Sequence, residues 1–377
     1  MSGIPKWAEW PDEPIFSPYS IGIEEELMLI DADGRLSFRG EEVVERFGAS
    51  LGGPCSLETH SAVVEIETSP QPTVADAVAD LGEVRSSLVE PLQGMGLRAA
   101  GAGTHPLATW VETQVPEQDR YQKVLETMRE LARREPTMAM HVQVSVPSDA
   151  AAIAALNGLR ERLPVVLALS ANSPFWQARD TGLASTRTSL FGAFPRTGLP
   201  PYFASYADWV ERVDVMIRCG AIPEPTFLWW DARLQPRFGT IEVRIADTQS
   251  RLEDVAALVA LVQCLVREAA EGGIAAEARR ETVAENRFLA SRDGIEAKLI
   301  DLRTESLVPL DEWIDEALAI CESHAHELHC EAELARVRDL CASNGAVRQR
   351  EVYRRDGIEA VAPWLAGELT GSLLVAE

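Results

Sequence analysis

The chain has 377 residues, long enough to bury a large apolar core without disulfides or structural metals. Acidic residues outnumber Lys plus Arg by 59 to 35, giving a net charge of −24, which argues against nucleic acid or an anionic membrane as the main partner. At 46% hydrophobic and 25% charged residues the make-up is that of an ordinary globular protein, and no run of about 18 apolar residues marks a membrane span.

The first residues read as an irregular arm with Pro5, Pro11, Pro14 and Pro18, and lack an apolar core of signal-peptide length. A strand follows over Ile21 to Leu29, and Asp33-Gly34 predicts a turn into a second strand. Val63 to Thr68 is another strand. Thr73 then caps a predicted helix to about Leu92, with Val74, Ala77, Val78, Leu81 and Val84 at helical spacing. Leu97 to Ala102 reads as a short strand, Tyr121 to Arg134 as helix and Met140 to Val146 as strand. Ser148 or Asp149 caps a helix to about Arg162, and Pro164 starts another through Leu169. Residues 176–205 look like a long functional loop. Asp208 to Arg218 is helical. Phe227 to Asp231 and Gly239 to Ala246 read as a hairpin. Helices are expected near 252–271, 275–297 and 310–342, with Asn344-Gly345 as a helix stop and a short helix after it.

Four of these strands place charge on one face and hydrocarbon on the other, because successive side chains alternate. Glu24 and Glu26 fall together, as do Glu65 and Glu67. His141, Gln143 and Ser145 oppose Val142, Val144 and Val146, and Glu242 with Arg244 opposes Ile241, Val243 and Ile245. The plainer reading of any one strand is a solvated outer face. Like charges on neighbouring strands destabilise a sheet, however, so a carboxylate cluster needs a cation to offset it. Glu24, Glu26, Glu58, Glu65 and Glu242 are therefore the metal-ligand candidates, and oxygen ligands favour Mg²⁺ or Mn²⁺ over zinc. His141 is a candidate for metal or phosphate, or a structural hydrogen-bonder. Glu25 points the other way and reads as a peripheral ion-pair member. Arg244, two residues from Glu242, suits a transferring phosphoryl group, or is a plain ion pair along the strand. Arg187, Arg196, Arg233 and Arg292 are further candidates.

Absences narrow the chemistry. None of the three lysines, Lys6, Lys123 and Lys298, follows a Gly, so a Walker-type phosphate loop is excluded. Dinucleotide and H-E-x-x-H patterns are also missing. Six cysteines without a C-x-x-C pair suit reduced thiols in a cytoplasmic protein.

Taken in order, Gly22-Ile23-Glu24-Glu25-Glu26, Val64-Glu65-Ile66, Gly103-Thr104-His105-Pro106, Ser170-Ala171-Asn172-Ser173-Pro174, Trp230-Asp231 and Gly239-Thr240-Ile241-Glu242-Val243-Arg244 resemble the carboxylate–amine ligase family of type-2 glutamate–cysteine ligases. Glu285-Asn286-Arg287, Arg292-Asp293-Gly294 and Val347-Arg348-Gln349-Arg350 fit the same series. The resemblance implies an α+β, glutamine-synthetase-like fold, a curved antiparallel sheet with a concave active-site face and helices behind it. It implies a single catalytic domain over 1–377, with an irregular arm over 1–18 and a helical part over 250–370. It further implies an ATP- and Mg²⁺-dependent ligase that forms an amide through an acyl phosphate, with glutamate and cysteine as the expected substrates. Another acid or amine, or a binding protein without catalysis, is the alternative. Glu24, Glu26, Glu58, Glu65 and Glu242 would be metal ligands, with His141, Arg233 and Arg244 on the phosphate side. Small-molecule substrates, no nucleic acid, no membrane and compatibility with a homo-oligomer complete the expectation. One departure stands out: many relatives carry a second His where this chain has Gln143.

Overall fold

The alternating segments pair into one seven-stranded antiparallel sheet. Its strands are β1 (Ile21–Ile30), β2 (Cys55–Leu57), β3 (Val63–Glu67), β4 (Arg98–Ala100), β5 (Met140–Ser145), β6 (Ala232–Gln235) and β7 (Thr240–Val243). The order is β6-β7-β5-β1-β3-β2, with β4 pairing the far end of β1. The computed structural model describes residues 4–48, 54–133, 136–273 and 279–374.

The hydrocarbon face of this sheet carries Ile21, Ile23, Leu27, Val64, Ile66, Val142, Val144, Ile241 and Val243, all buried in one core. Helices Val74–Gly94, Asp149–Leu159, Leu163–Ser170 and Leu252–Ala270 pack against it in that core, joined by residues of several further helices, Leu310–Leu328 among them. Thr73 caps the first of them, its hydroxyl accepting from the Asp76 amide at 3.2 Å, and Ser148 caps the second through the Ala151 amide. Helix Leu252–Ala270 is apolar on nearly every side because it is surrounded by other elements.

The opposite face is divided. At one end Met28, Ile30, Val63 and Ala100 pack under Val352, Val361, Ala362, Leu365 and Ala366 from the C-terminal helices Gly345–Asp356 and Val361–Leu374. At the other end the same face is polar and lines a cleft. The C-terminal helices therefore cap half of the face expected to be open.

Several expectations change. No second strand follows Asp33-Gly34: the Asp31 carboxylate accepts from the Asp33 and Arg35 amides, only the Ile30–Leu36 bridge forms, and helix Gly40–Phe47 begins. The hairpin before Glu242 starts at Ala232 rather than Phe227, since 225–227 is a 3-10 turn. The segment expected as one helix over 310–342 breaks at His329, whose φ is +56°, and continues as two short helices. Asn344 starts a helix rather than ending one, its side chain accepting from the Val347 amide at 3.2 Å. Part of the helix expected over 275–297 lies outside the described residues, as does the end of the one expected over 121–134. All six cysteines are free thiols, and no helix among the described residues is long and apolar enough to cross a membrane.

Candidate active site

Strand register brings the charged residues together. Glu24 pairs with Glu67 of β3 on one side and His141 of β5 on the other. Glu26 pairs with Glu65, and Glu242 lies between Gln143 and Arg233. Glu58 joins them from the turn after β2, where its amide donates to the Val63 carbonyl at 3.3 Å and its carboxylate accepts from the Thr59 amide and hydroxyl. Glu24, Glu26, Glu58, Glu65, Glu67, His141, Gln143 and Arg233 line a cleft of about 320 Å³, and Glu242 is fully buried beneath its arginine side. Phe191, Phe194, Phe227, Trp229 and Phe238 form an aromatic wall on the β6–β7 side, and Tyr121, Val124 and Met128 face the β2–β3 side.

Two overlapping groups of ligand atoms occur here. Glu24, Glu65 and His141 form one and Glu26, Glu58 and Glu65 the other, with the ligand atoms of each group within 4.8 Å of one another. Glu65 belongs to both. Such a set of hard oxygens with one imidazole suits Mg²⁺ or Mn²⁺.

The electrostatics show a shortage of cations. Burial, and then the Glu58 charge, push Glu26 up to about 8. Burial followed by Glu58, Glu24, Glu26 and Glu67 raises Glu65 well above the carboxylate range. Glu67 is raised by burial and by Glu24. Burial works in the same direction on Glu24, but the His141 and Gln143 hydrogen bonds and the His141 charge override it and hold its pKa down. His141 is itself lowered by burial and by Arg244, against the pull of Glu24. Its Nδ1 lies 3.0 Å from Glu24 Oε2, and an ionised carboxylate only accepts, so Nδ1 carries the proton. The buried Nε2 makes no hydrogen bond among the described residues and lies 3.5 Å from Glu26 Oε1, so its lone pair faces the carboxylate cluster.

Glu242 stands apart from both groups of ligand atoms. Arg233 grips it with two bonds, Nε to Oε2 at 2.6 Å and Nη2 to Oε1 at 3.1 Å, while Gln235 adds a third at 2.6 Å. Arg244 donates to the same carboxylate. Burial opposes ionisation of Glu242, but Arg233, Arg244 and His141 override it and hold the carboxyl ionised, well below its ordinary range. Arg233 also donates through Nη1 to the Thr226 and Leu228 carbonyls. Arg244 differs, because its buried Nε has no partner.

Other candidates settle elsewhere. Arg187 lines the cleft, yet donates to the Arg244 and Ile245 carbonyls at 3.1 Å each and so fixes the backbone that carries Arg244. Arg196 lies over the Trp229 ring and donates to the Phe227 carbonyl at 3.0 Å. Arg292 pairs with its neighbour Asp293 on an exposed helix end. Residues 176–205 do not form a free loop: Ser185, Thr186, Arg187 and Thr188 are buried, and helix Thr186–Phe191 carries Arg187 and Phe191 to the cleft wall.

Behind the cleft, a second polar cluster collects many of the remaining motif residues. The Asp247 carboxylate accepts from the Asn172 amide at 2.8 Å, Ser173 Oγ at 2.7 Å and Ser185 Oγ at 2.9 Å. Asn172 donates through its amide nitrogen to the Thr248 and Gly101 carbonyls, and Gln349 donates to Asn172 Oδ1 at 2.7 Å. Three glycines are dictated by this packing. A Cβ at Gly103 would lie 2.6 Å from Asp247 Cγ, one at Gly101 2.5 Å from the Gln249 carbonyl oxygen, and one at Gly345 2.0 Å from Asn172 Oδ1. His105 also turns out to be structural: its Nε2 lies 2.9 Å from the Gly34 oxygen and its Nδ1 accepts from the Leu107 and Ala108 amides. Arg287 holds Asp231 with two bonds at 2.6 and 2.9 Å. Sequence reasoning missed Asp247 and Gln235. The available signal for Asp247 was the polar run Asp247-Thr248-Gln249-Ser250 between an apolar strand and an apolar helix, all four buried.

Comparison with known proteins agrees with this geometry. Residues 20–372 match the model of glutamate–cysteine ligase family 2. A protein of Rubrobacter xylanophilus with the provisional name glutamate–cysteine ligase 2-1 is 40% identical over 365 residues, covering 93% of this chain and 97% of its own. A Jannaschia protein with the provisional name glutamate–cysteine ligase 2 is 36% identical over 341 residues, covering 89% and 90%. Among solved structures, the Francisella tularensis glutamate–cysteine ligase in complex with AMP superposes with a TM-score of 0.66 at 12% identity, over 97% of this chain and 95% of that one. A bifunctional glutathione synthetase from Pasteurella multocida gives 0.64 at 14% identity, over 94% of this chain and 52% of its own. At such identities the two structures speak to fold alone, and the fold is the α+β, glutamine-synthetase-like one implied by the motifs. The cleft, the ordered motifs and a family match over nearly the full length converge on one assignment: this chain belongs to glutamate–cysteine ligase family 2 and is a ligase.

Proposed function

We propose that this ligase joins a carboxylic acid to an amine at the expense of ATP, with the γ-carboxylate of glutamate and the amine of cysteine as the substrates of first choice. The observation that carries the reading is the pair of ligand groups sharing Glu65, set beside Arg244 with its spare donor. Five carboxylates and one imidazole facing a single cleft fit hard divalent cations. The raised Glu26 and Glu65, together with the orphaned His141 Nε2, indicate what such ions would offset.

Glu24, Glu26, Glu58, Glu65 and His141 would hold Mg²⁺ or Mn²⁺, which when bound supplies charge neutralisation for phosphate oxygens. Glu242 belongs to the arginine side, where it fixes Arg244 rather than joining either group. A carboxylate is inert to amines at neutral pH, so its oxygen first takes the γ-phosphoryl group of ATP and ADP leaves. The amine nitrogen then attacks the acyl carbon, the C–O bond to phosphate breaks and the ammonium proton is lost. Arg244 stabilises the charge on the transferring group, and Arg187 keeps the Arg244 backbone in place. The aromatic wall excludes water from the β6–β7 side of the cleft.

Isotope transfer tests the reading. With ¹⁸O in the reacting carboxylate, each amide formed should place one label in inorganic phosphate, and ADP should appear only with a suitable acid. Unlabelled phosphate, or release of AMP and pyrophosphate, would exclude the acyl-phosphate route. An amine panel run in the same assay identifies the acceptor.

A further inference from the structure

Gln143 occupies the floor of the cleft between the two charged strands that flank β5. Its backbone pairs with Gly22 on one side and Glu242 on the other. Its side chain makes two bonds of opposite polarity. Nε2 donates to Glu24 Oε1 at 2.9 Å, and Oε1 accepts from the Thr240 hydroxyl at 2.7 Å.

The Glu24 bond settles which way the amide faces, and the Thr240 bond anchors its other end. An ionised carboxylate can only accept, so turning the amide over would set its carbonyl oxygen against Glu24 at hydrogen-bond distance. The Thr240 hydroxyl, which can donate or accept, takes the complementary donor role towards Oε1. Thr240 is buried on β7 and the hydroxyl sits on the opposite side of Gln143 from Glu24.

Glu24 consequently has a donor on each oxygen, Gln143 on Oε1 and His141 on Oε2. A carboxylate oxygen has two acceptor sites, so each oxygen keeps one for the cleft. Glu65 has no such support and faces Glu58, Glu24, Glu26 and Glu67. The contrast separates a carboxylate fixed by the protein from carboxylates whose arrangement depends on an ion.

We propose that Gln143, locked by Thr240, is a positioning residue that presets Glu24 as the first ligand of the metal site. The inference rests on the metal part of the proposed function and is independent of which acid or amine reacts. Partners one step behind a metal ligand typically account for about 10–100-fold in affinity. The lock is built from one amide and one hydroxyl, neither of which changes charge with pH.

Mn²⁺ binding to the whole protein, followed by electron paramagnetic resonance without nucleotide, tests this directly. Gln143→Leu should weaken the tightest Mn²⁺ by about 10–100-fold while the metal-free melting temperature stays near that of the wild type. Thr240→Val keeps the Gln143 donor to Glu24 but removes the anchor at the other end of the amide, so it should weaken Mn²⁺ by a smaller factor. The double variant should be no worse than Gln143→Leu alone, because Thr240 would act only through Gln143. Wild-type Mn²⁺ affinity in Gln143→Leu would overturn the proposal, as would a full additive loss in the double variant. Absence of Mn²⁺ binding to the wild-type protein would instead overturn the metal reading itself.

Discussion

Glu25 and Glu26 are neighbours on β1, yet they experience opposite chemistry. Glu25 turns into the core, fully buried, where Arg85 donates to it through Nε at 2.8 Å and Nη2 at 2.7 Å. Arg85 is completed by the Ser250 and Gln249 carbonyls at 3.0 and 2.9 Å. Glu26 turns into the cleft, where its protein donor is the Ala139 amide at 2.6 Å and Glu58 adds a like charge. One face of the strand is thus electrostatically complete and the other is left short of positive charge. A complete buried pair fixes geometry, whereas an incomplete carboxylate cluster has affinity in reserve for a cation. Glu25, expected at the periphery, lies instead under the middle of the sheet and ties it to helix Val74–Gly94.

Breaking the complete face should have the largest effect. Arg85→Ala leaves Glu25 buried without its partner and should cost about 3–5 kcal/mol, read from urea unfolding. Glu65→Gln on the other face should leave the metal-free protein as stable or more so, since an amide avoids the cost of ionising a buried group beside Glu58, Glu24, Glu26 and Glu67. Equal losses from the two variants would erase the distinction between the faces.

Arg244→Ala sharpens the comparison from the functional side. Its side chain faces the cleft, so the fold should survive. ATP turnover should fall by about 10²–10³-fold, the scale for one preorganised charge stabiliser. Unchanged turnover would reduce Arg244 to a strand ion pair with Glu242.

Gly103→Ala probes whether the polar cluster behind the cleft holds the site. A Cβ there meets Asp247 Cγ at 2.6 Å. The side chain must shift, with an expected loss of about 1–3 kcal/mol in stability. Asp247 also pairs with Arg187 at 3.7 Å, and Arg187 carries the Arg244 backbone, so turnover should fall along with stability. A stability loss with undiminished turnover would separate the two clusters.

The remaining test is pH. Glu26 is raised from its ordinary 4.5 to about 8, so between these values the folded metal-free protein holds a proton that the unfolded chain has released. The stability due to that proton is complete below about pH 4.5 and is lost as pH rises through about 8, at up to ~1.4 kcal/mol per pH unit. Urea midpoints across this range should decline in the wild type and flatten in Glu26→Gln. Mn²⁺ should lessen the decline, because a cation takes over from the proton.

Alternation along single strands was enough to find which residues share a face. Glu24, Glu65, His141 and Glu242 were legible because period-two placement is a local property of the chain. The helix start at Thr73 was equally local, since its cap reaches only to Asp76. The role of each charge was not local. Glu242 and Glu65 look alike in sequence, yet two arginines satisfy one and four carboxylates surround the other. That difference arises from register between paired strands, Arg233 against Glu242 across a hairpin and Glu26 against Glu65 between strands farther apart in the chain. The same holds for Asn172, Asp247 and Gln349, whose meeting joins segments from three parts of the chain. The sequence determined which side chains share a face, because that depends on backbone period. Tertiary structure alone decided which of them would be neutralised, because charge pairing depends on distances that only the folded sheet and its packed helices set.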